Sequence, residues 1–187
     1  MTPHMGNWEL LAGIFSLQGF HGAVVGKQIY YEPYNRWIVG LRQAVGVYTI
    51  YSHEAVRGIR DHLRKNEIIG LLPDQDMDSV RGVFVDFFGK SAYTSVAPVK
   101  LAVSNQAPIL TAFLIRTAGD RYRLLVGKLI RPKIEGDRDL AIRQYTEEWM
   151  HNFEEVIRQH PEQWAWMHNR WKTSREKIYS KKEEVLK

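Results

Sequence analysis

Three short apolar runs set the strongest limit on what this chain can fold into. GAVVGKQI (22–29), VYTIY (47–51) and EIIGLL (67–72) are each of strand length. Each is parted from the next by a segment long enough to form a helix, as parallel neighbours require. The last run is near-continuously apolar, as expected of a strand covered on both faces. Strand, helix, strand, helix, strand is an α/β order. In such sheets, sites gather beyond the carboxyl ends of the strands, and Asp74 follows EIIGLLP at such an end.

The remaining elements extend this frame. Residues 7–19 read as a helix, with Asn7 as N-cap, Glu9 favouring the positive end and Gly19 ending it. Helices are also expected over 34–45 and from Ser52 to about Lys65, where Val56, Ile59 and Leu63 share one side. A polar loop, PDQDMDSVRG, leads to the strand VFVDFF (83–88) and a helix capped by Ser95. PILTAFLIR and YRLLVGKLI flank TAGD as a hairpin. A long helix follows at about 138–159, with Ile142, Tyr145, Trp149, Phe153 and Val156 as its core stripe. The expected fold is α/β: a mixed, largely parallel central sheet flanked by helices, as one domain over 1–187 with a charged tail from 175.

Composition narrows the chemistry. Cys is absent, which excludes disulfides, zinc thiolate sites and a Cys nucleophile. No window reaches the ~18 unbroken apolar residues that span a bilayer. There is no G-x-S-x-G elbow and no phosphate-binding glycine loop. The net charge of +5 attracts phosphates in nucleic acid, lipid or ligand. The basic residues are spread along the chain and no nucleic-acid motif accompanies them, so nucleic acid is not an expected partner. No compact metal-ligand spacing stands out, so no metal is expected.

The chemistry concentrates near HMGNWE. On a continuous helix His4 and Glu9 would point ~140° apart. They approach only if His4 precedes the helix and the chain turns at Gly6. A carboxylate beside the imidazole would then fix its tautomer and make His4 a general-base candidate. By spacing alone, an exposed terminal His and a dipole-favouring Glu are the plainer account. Asp74, Gln75 and Asp76 could position a hydroxyl, bind a cation or cap a turn. Arg42 could bind an anion or stabilise an oxyanion, while Arg36 reads as solvated. In HPEQWAWMHNRWKTS (160–174), Trp164, Trp166 and Trp171 interleave with His168, Arg170 and Lys172. They could line an amphipathic groove or dock into the core.

Four blocks in order carry a resemblance. HMGNWE resembles the H-x4-D/E motif of the glycerolipid acyltransferase superfamily, in the H-x-G-N-W-E form of the bacterial lipid A biosynthesis (lauroyl/myristoyl) acyltransferases. LLPDQD, RGVFVDFFGKSAYT and PEQWAWMHNRWKT resemble that family's later blocks. The resemblance runs from His4 to about Lys172. It implies transfer of a fatty acyl chain from acyl carrier protein, or acyl-CoA in some relatives, to a hydroxyl of a lipid A precursor. It implies work at the cytoplasmic face of the inner membrane, with no cofactor. His4 would be the base and Glu9 its charge partner. Arg42 would serve the oxyanion or the acceptor, Asp74 would match a functional Asp, and Gly6 and Asn7 would shape the turn. Family members carry a longer stretch before the motif, including a membrane anchor, so this chain is expected to be a fragment. A related glycolipid or phospholipid acceptor, or a non-catalytic lipid-binding remnant, is the alternative.

Overall fold

The computed structural model describes residues 1–178 and 180. The elements run α1 (Trp8–Leu17), β1 (Gly22–Gly26), α2 (Glu32–Ala44), β2 (Val47–Tyr51), α3 (Ala55–Arg64), β3 (Ile68–Gly70), β4 (Gly82–Phe87), β5 (Lys90–Ser95), α4 (Ala97–Ser104), β6 (Ile109–Arg116), β7 (Tyr122–Ile130) and α5 (Arg138–Gln159). The α/β class holds. The parallel part is the sheet β2-β1-β3, and β4-β5 and β6-β7 form antiparallel pairs. The charged tail lies outside the described residues from 181 onward.

Local chemistry accounts for the helix starts. Asn7 accepts a bond from the Leu10 amide at 2.9 Å and caps α1. Asp137 accepts from the amides of Asp139 and Leu140 at 2.9 and 3.0 Å and caps α5. The stripe of α5 is core: Trp149 and Phe153 are fully buried and Ile142 nearly so. They pack with Phe87, Val99, Phe113 and Trp164 in the main apolar cluster. A smaller cluster of Ala23, Ile50 and Ile59 ties the parallel sheet to α3.

Residues 1–7 run between these two bodies and bond to both. The Thr2 amide donates to Leu71 O at 3.1 Å, and the Ala112 amide donates to Met1 O at 2.9 Å. On the far side, Gly6 N donates to Gln163 O at 3.0 Å and Ala165 N donates to His4 O at 2.9 Å. Pro3 and Met5 are buried while His4 between them is partly exposed. A tight turn at His4, where the Met5 amide donates to Pro3 O at 2.7 Å, turns its side chain out from its buried neighbours.

Three expectations need correction. The stretch 90–95, to which the sequence reading assigns no element, is a strand, β5. Its turn uses Phe88 and Gly89 at φ 56° and 71°, the left-handed pair of a two-residue hairpin. Phe in place of the usual Asn or Asp hides the signal. Strand β1 ends at Gly26, so 27–31 form a loop with Tyr30 and Tyr31 exposed. The run EIIGLL is not covered on both faces: Ile68 is 41% exposed.

Candidate active site

His4 sits past the carboxyl end of β3, where Asp74 meets it. The His4 amide donates to Asp74 Oδ2 at 2.8 Å, and His4 Nδ1 lies 2.6 Å from Asp74 Oδ1. The Trp164 indole donates to Oδ2 at 2.9 Å. Asp74 is 1% exposed. Burial pushes its carboxyl up, but bonds and charge from the His4 ring, the Trp164 indole and the His4 amide together hold it below the ordinary carboxylate range. An ionised Asp74 can only accept, so Nδ1 carries the proton and Nε2 presents its lone pair. That is the tautomer a general base requires.

The Nε2 side of the ring meets Gln75, and the His4 side chain keeps 19% of its surface exposed. Gln75 Nε2 lies 3.3 Å from His4 Nε2. The His168 ring approaches edge-on with centroids 4.8 Å apart, and Trp8 does the same at 5.3 Å.

Glu9 meets Arg42 instead of His4. Arg42 donates through Nε to Glu9 Oε2 at 2.8 Å and through Nη2 to Oε1 at 2.5 Å, a bidentate fork. A third bond runs from Nη1 to Thr49 Oγ1 at 3.2 Å. The fork joins α1, α2 and β2. The expected pairing of His4 with Glu9 is thus replaced by two pairs, His4–Asp74 and Arg42–Glu9. Asn7 caps α1, and its amide donates to Leu114 O at 3.2 Å. Gly6 makes the turn at φ +58°, where a Cβ would lie 2.0 Å from Leu114 O. Arg36 is a solvated cation 3.9 Å from Glu32.

The late aromatic segment divides between its two readings. Trp164 is buried and Trp171 stacks on Phe87, while Trp166 stays 52% exposed. Arg170 is fully buried among Phe87, Tyr93 O, Thr94 and Met150. Burial lowers its guanidinium to about 10, against the opposing pull of Asp76 and Asp74. Asp76 is held by the Thr173 amide and hydroxyl at 3.0 and 2.5 Å. Gln75, His168 and Trp164 complete the site, and sequence spacing gave no reason to join them to His4. No group of three potential metal ligands occurs among the described residues.

An apolar cavity of about 330 Å³ lies beside the site. Trp8, Ala12 and Phe15 of α1 line one wall, and Val24, Ile69 and Leu101 line others. The wall on α1 spans two turns, ~10 Å, starting at the tryptophan that touches the His4 ring. No helix among the described residues is long and apolar enough to cross a membrane.

Comparison with known proteins supplies the rest. The family described as bacterial lipid A biosynthesis acyltransferase matches residues 1–173. A phosphatidylinositol mannoside acyltransferase of Mycobacterium tuberculosis is 31% identical over 114 residues, covering 58% of this chain and 35% of that protein. A lipid A biosynthesis acyltransferase of Haemophilus influenzae is 28% identical over 177 residues, 89% of this chain and 51% of that protein. The lipid A biosynthesis palmitoleoyltransferase of Escherichia coli is 30% identical over 154 residues, 76% and 47% of the two chains. The chain spans about half the length, or less, of these relatives. With the match covering almost all of it, this chain belongs to the bacterial lipid A biosynthesis acyltransferase family.

Proposed function

We propose that this chain carries the catalytic centre of an O-acyltransferase with His4 as its general base. The observation that carries the reading is the 2.6 Å contact of His4 Nδ1 with buried Asp74, which turns Nε2 to the other side, where it meets only the side-chain amide of Gln75 at 3.3 Å. An acceptor hydroxyl attacks the carbonyl carbon of an acyl thioester while its proton passes to Nε2. The tetrahedral oxyanion then collapses, the C–S bond breaks, and the thiolate takes the proton from His4. Ester and thiol are the products and His4 is regenerated. Asp74 orients the ring and stabilises the imidazolium. The Arg42–Glu9 fork fixes α1, and with it the wall of the cavity, against α2 and β2.

The apolar cavity suits a fatty acyl chain, whose thioester end would lie at Trp8 beside His4. The donor is the thioester of acyl carrier protein or coenzyme A. The acceptor is a hydroxyl of a lipid A precursor at the cytoplasmic face of the inner membrane. Exposed Tyr30, Tyr31, Tyr34 and Trp37 supply amphipathic rings of the kind that favour a lipid–water boundary. The mycobacterial relative favours a second acceptor, a mannosylated phosphatidylinositol.

The test uses the protein at its full natural length. His4→Ala should abolish acyl transfer from a long-chain acyl thioester while leaving the fold intact by circular dichroism. Normal transfer by this variant would sink the assignment. Mass spectrometry of lipids from a deletion strain identifies the acceptor: loss of one secondary acyl chain from lipid A supports the first, and an under-acylated mannoside supports the second.

A further inference from the structure

Gln75 stands between two buried carboxylates that are each pinned. Asp74 is held by His4 and Trp164, and Asp76 by Thr173. Both neighbours are nearly sealed from solvent, whereas Gln75 is half-buried and its amide reaches the His4 ring. The main chain at this position is therefore fixed from both sides, and it delivers the amide to the His4 ring. Its Nε2 lies 3.3 Å from His4 Nε2. It is also 3.5 Å from His168 Nδ1 and 3.4 Å from His168 Nε2. A donor equidistant from both ring nitrogens follows neither lone pair, because the two diverge. The His168 ring thus packs against the amide without taking a directed bond from it.

We propose that Gln75 is a further catalytic residue: its side-chain amide donates to the oxyanion that forms when the acceptor hydroxyl attacks the thioester. The inference rests on His4 being the base of that attack. The attacking oxygen must lie within hydrogen-bond reach of His4 Nε2. The carbonyl oxygen is two bonds further on, through the carbon under attack. An N–H held next to Nε2 is within reach of that atom as charge builds on it. A fixed amide dipole stabilises the charge without reorganising. Arg42 directs its Nε–H and one N–H of each Nη group to Glu9 and Thr49, which holds the guanidinium in the other pair. In the resting site the Gln75 amide donates to the His4 Nε2 lone pair at 3.3 Å, and an acceptor hydroxyl that takes over that lone pair frees the N–H for the oxyanion. His168 is a positioning residue that supports the amide.

The experiment compares Gln75→Met, which keeps the bulk and removes the donor, with Gln75→Ala and His4→Ala. All are made in the full-length protein and assayed with palmitoyl-coenzyme A and the lipid that the wild type acylates. Loss of one oxyanion donor costs about 10²–10³ in kcat. Both Gln75 variants are expected to lose about that much in kcat, with KM for donor and acceptor changed less than about threefold. A loss confined to KM, or a kcat within about threefold of wild type, overturns the role. Thermal melting of Gln75→Met separates misfolding from chemistry: a melting temperature at the wild-type value with a collapsed kcat supports the donor. The two readings fail separately. Activity surviving in His4→Ala removes the base, whereas activity surviving in Gln75→Met with His4→Ala dead removes only the amide.

Discussion

Asp74 accepts three hydrogen bonds on two oxygens, and that arithmetic makes its replacement by asparagine informative. An amide in its place must turn a donor toward the His4 ring or toward the pair of N–H groups at Oδ2. Turned toward the ring, the donor removes the support of the Nδ1–H tautomer of His4; turned the other way, it leaves the His4 and Trp164 N–H groups facing a donor. The same change in a serine-protease triad costs about 10⁴ in kcat through the wrong tautomer. Asp74→Asn should lose activity on that order, read as kcat with KM nearly constant, and wild-type kcat would show that Asp74 does not orient the base. Glu9→Gln belongs to the other pair. It should weaken the Arg42 fork and cost about 1–2 kcal/mol of stability by urea unfolding, since charge-assisted bonds are worth more than neutral ones. A kcat fall as deep as that of Asp74→Asn would show that Glu9 acts on the chemistry directly. His4, Glu9, Arg42 and Asp74 are all legible in the sequence, yet their pairing is not. His4 and Glu9 are neighbours in the chain, while His4 and Asp74 are 70 residues apart. Only the fold says which carboxylate reaches the imidazole.

At the scale of elements, the segment 1–7 decides whether the site exists. Its hydrogen bonds reach β6, the end of β3 and the 163–165 stretch at once. Gly6 is its tightest point. A Cβ there would meet the Leu114 carbonyl, and the left-handed φ strains any L side chain. Gly6→Ala should therefore destabilise by roughly 2–3 kcal/mol. Hydrogen exchange should show the Asn7 and Ala165 amides losing protection first. Unchanged stability would mean the segment is loosely held. Elements with strong periodicity, such as α5, and the crossovers around β1 to β3, are readable from sequence because burial repeats at a fixed spacing. Strand β5 is hidden by its turn. Phe88 tolerates a left-handed φ because its amide bonds Glu154 at 2.8 Å and its ring packs on Phe87 and Trp164. That tertiary support leaves no local mark.

At the scale of the whole molecule, the site joins two bodies through charge and through a shared cavity. Asp74 carries the pH dependence of that junction. Its folded pKa is depressed, so the stability it contributes is present above the unfolded carboxylate value of about 4. It is lost as pH falls through the folded value. Wild-type stability should drop below about pH 4, and Asp74→Asn should flatten part of that drop. The cavity offers the last test. It follows α1 for two turns from Trp8, so Ala12 stands one turn beyond the tryptophan that touches His4. If an acyl chain lies along this wall, a larger residue at 12 shortens the space without touching the base. Ala12→Leu fills existing void, which should leave stability near wild type. One methylene too many in an apolar pocket is worth roughly 10–200-fold in kcat/KM. The variant should therefore lose at least about tenfold with the longest acyl thioester that the wild type uses, and keep its rate with shorter ones. A uniform loss across chain lengths would place the acyl chain elsewhere. An unchanged profile would mean that the cavity beside His4 does not measure the acyl chain.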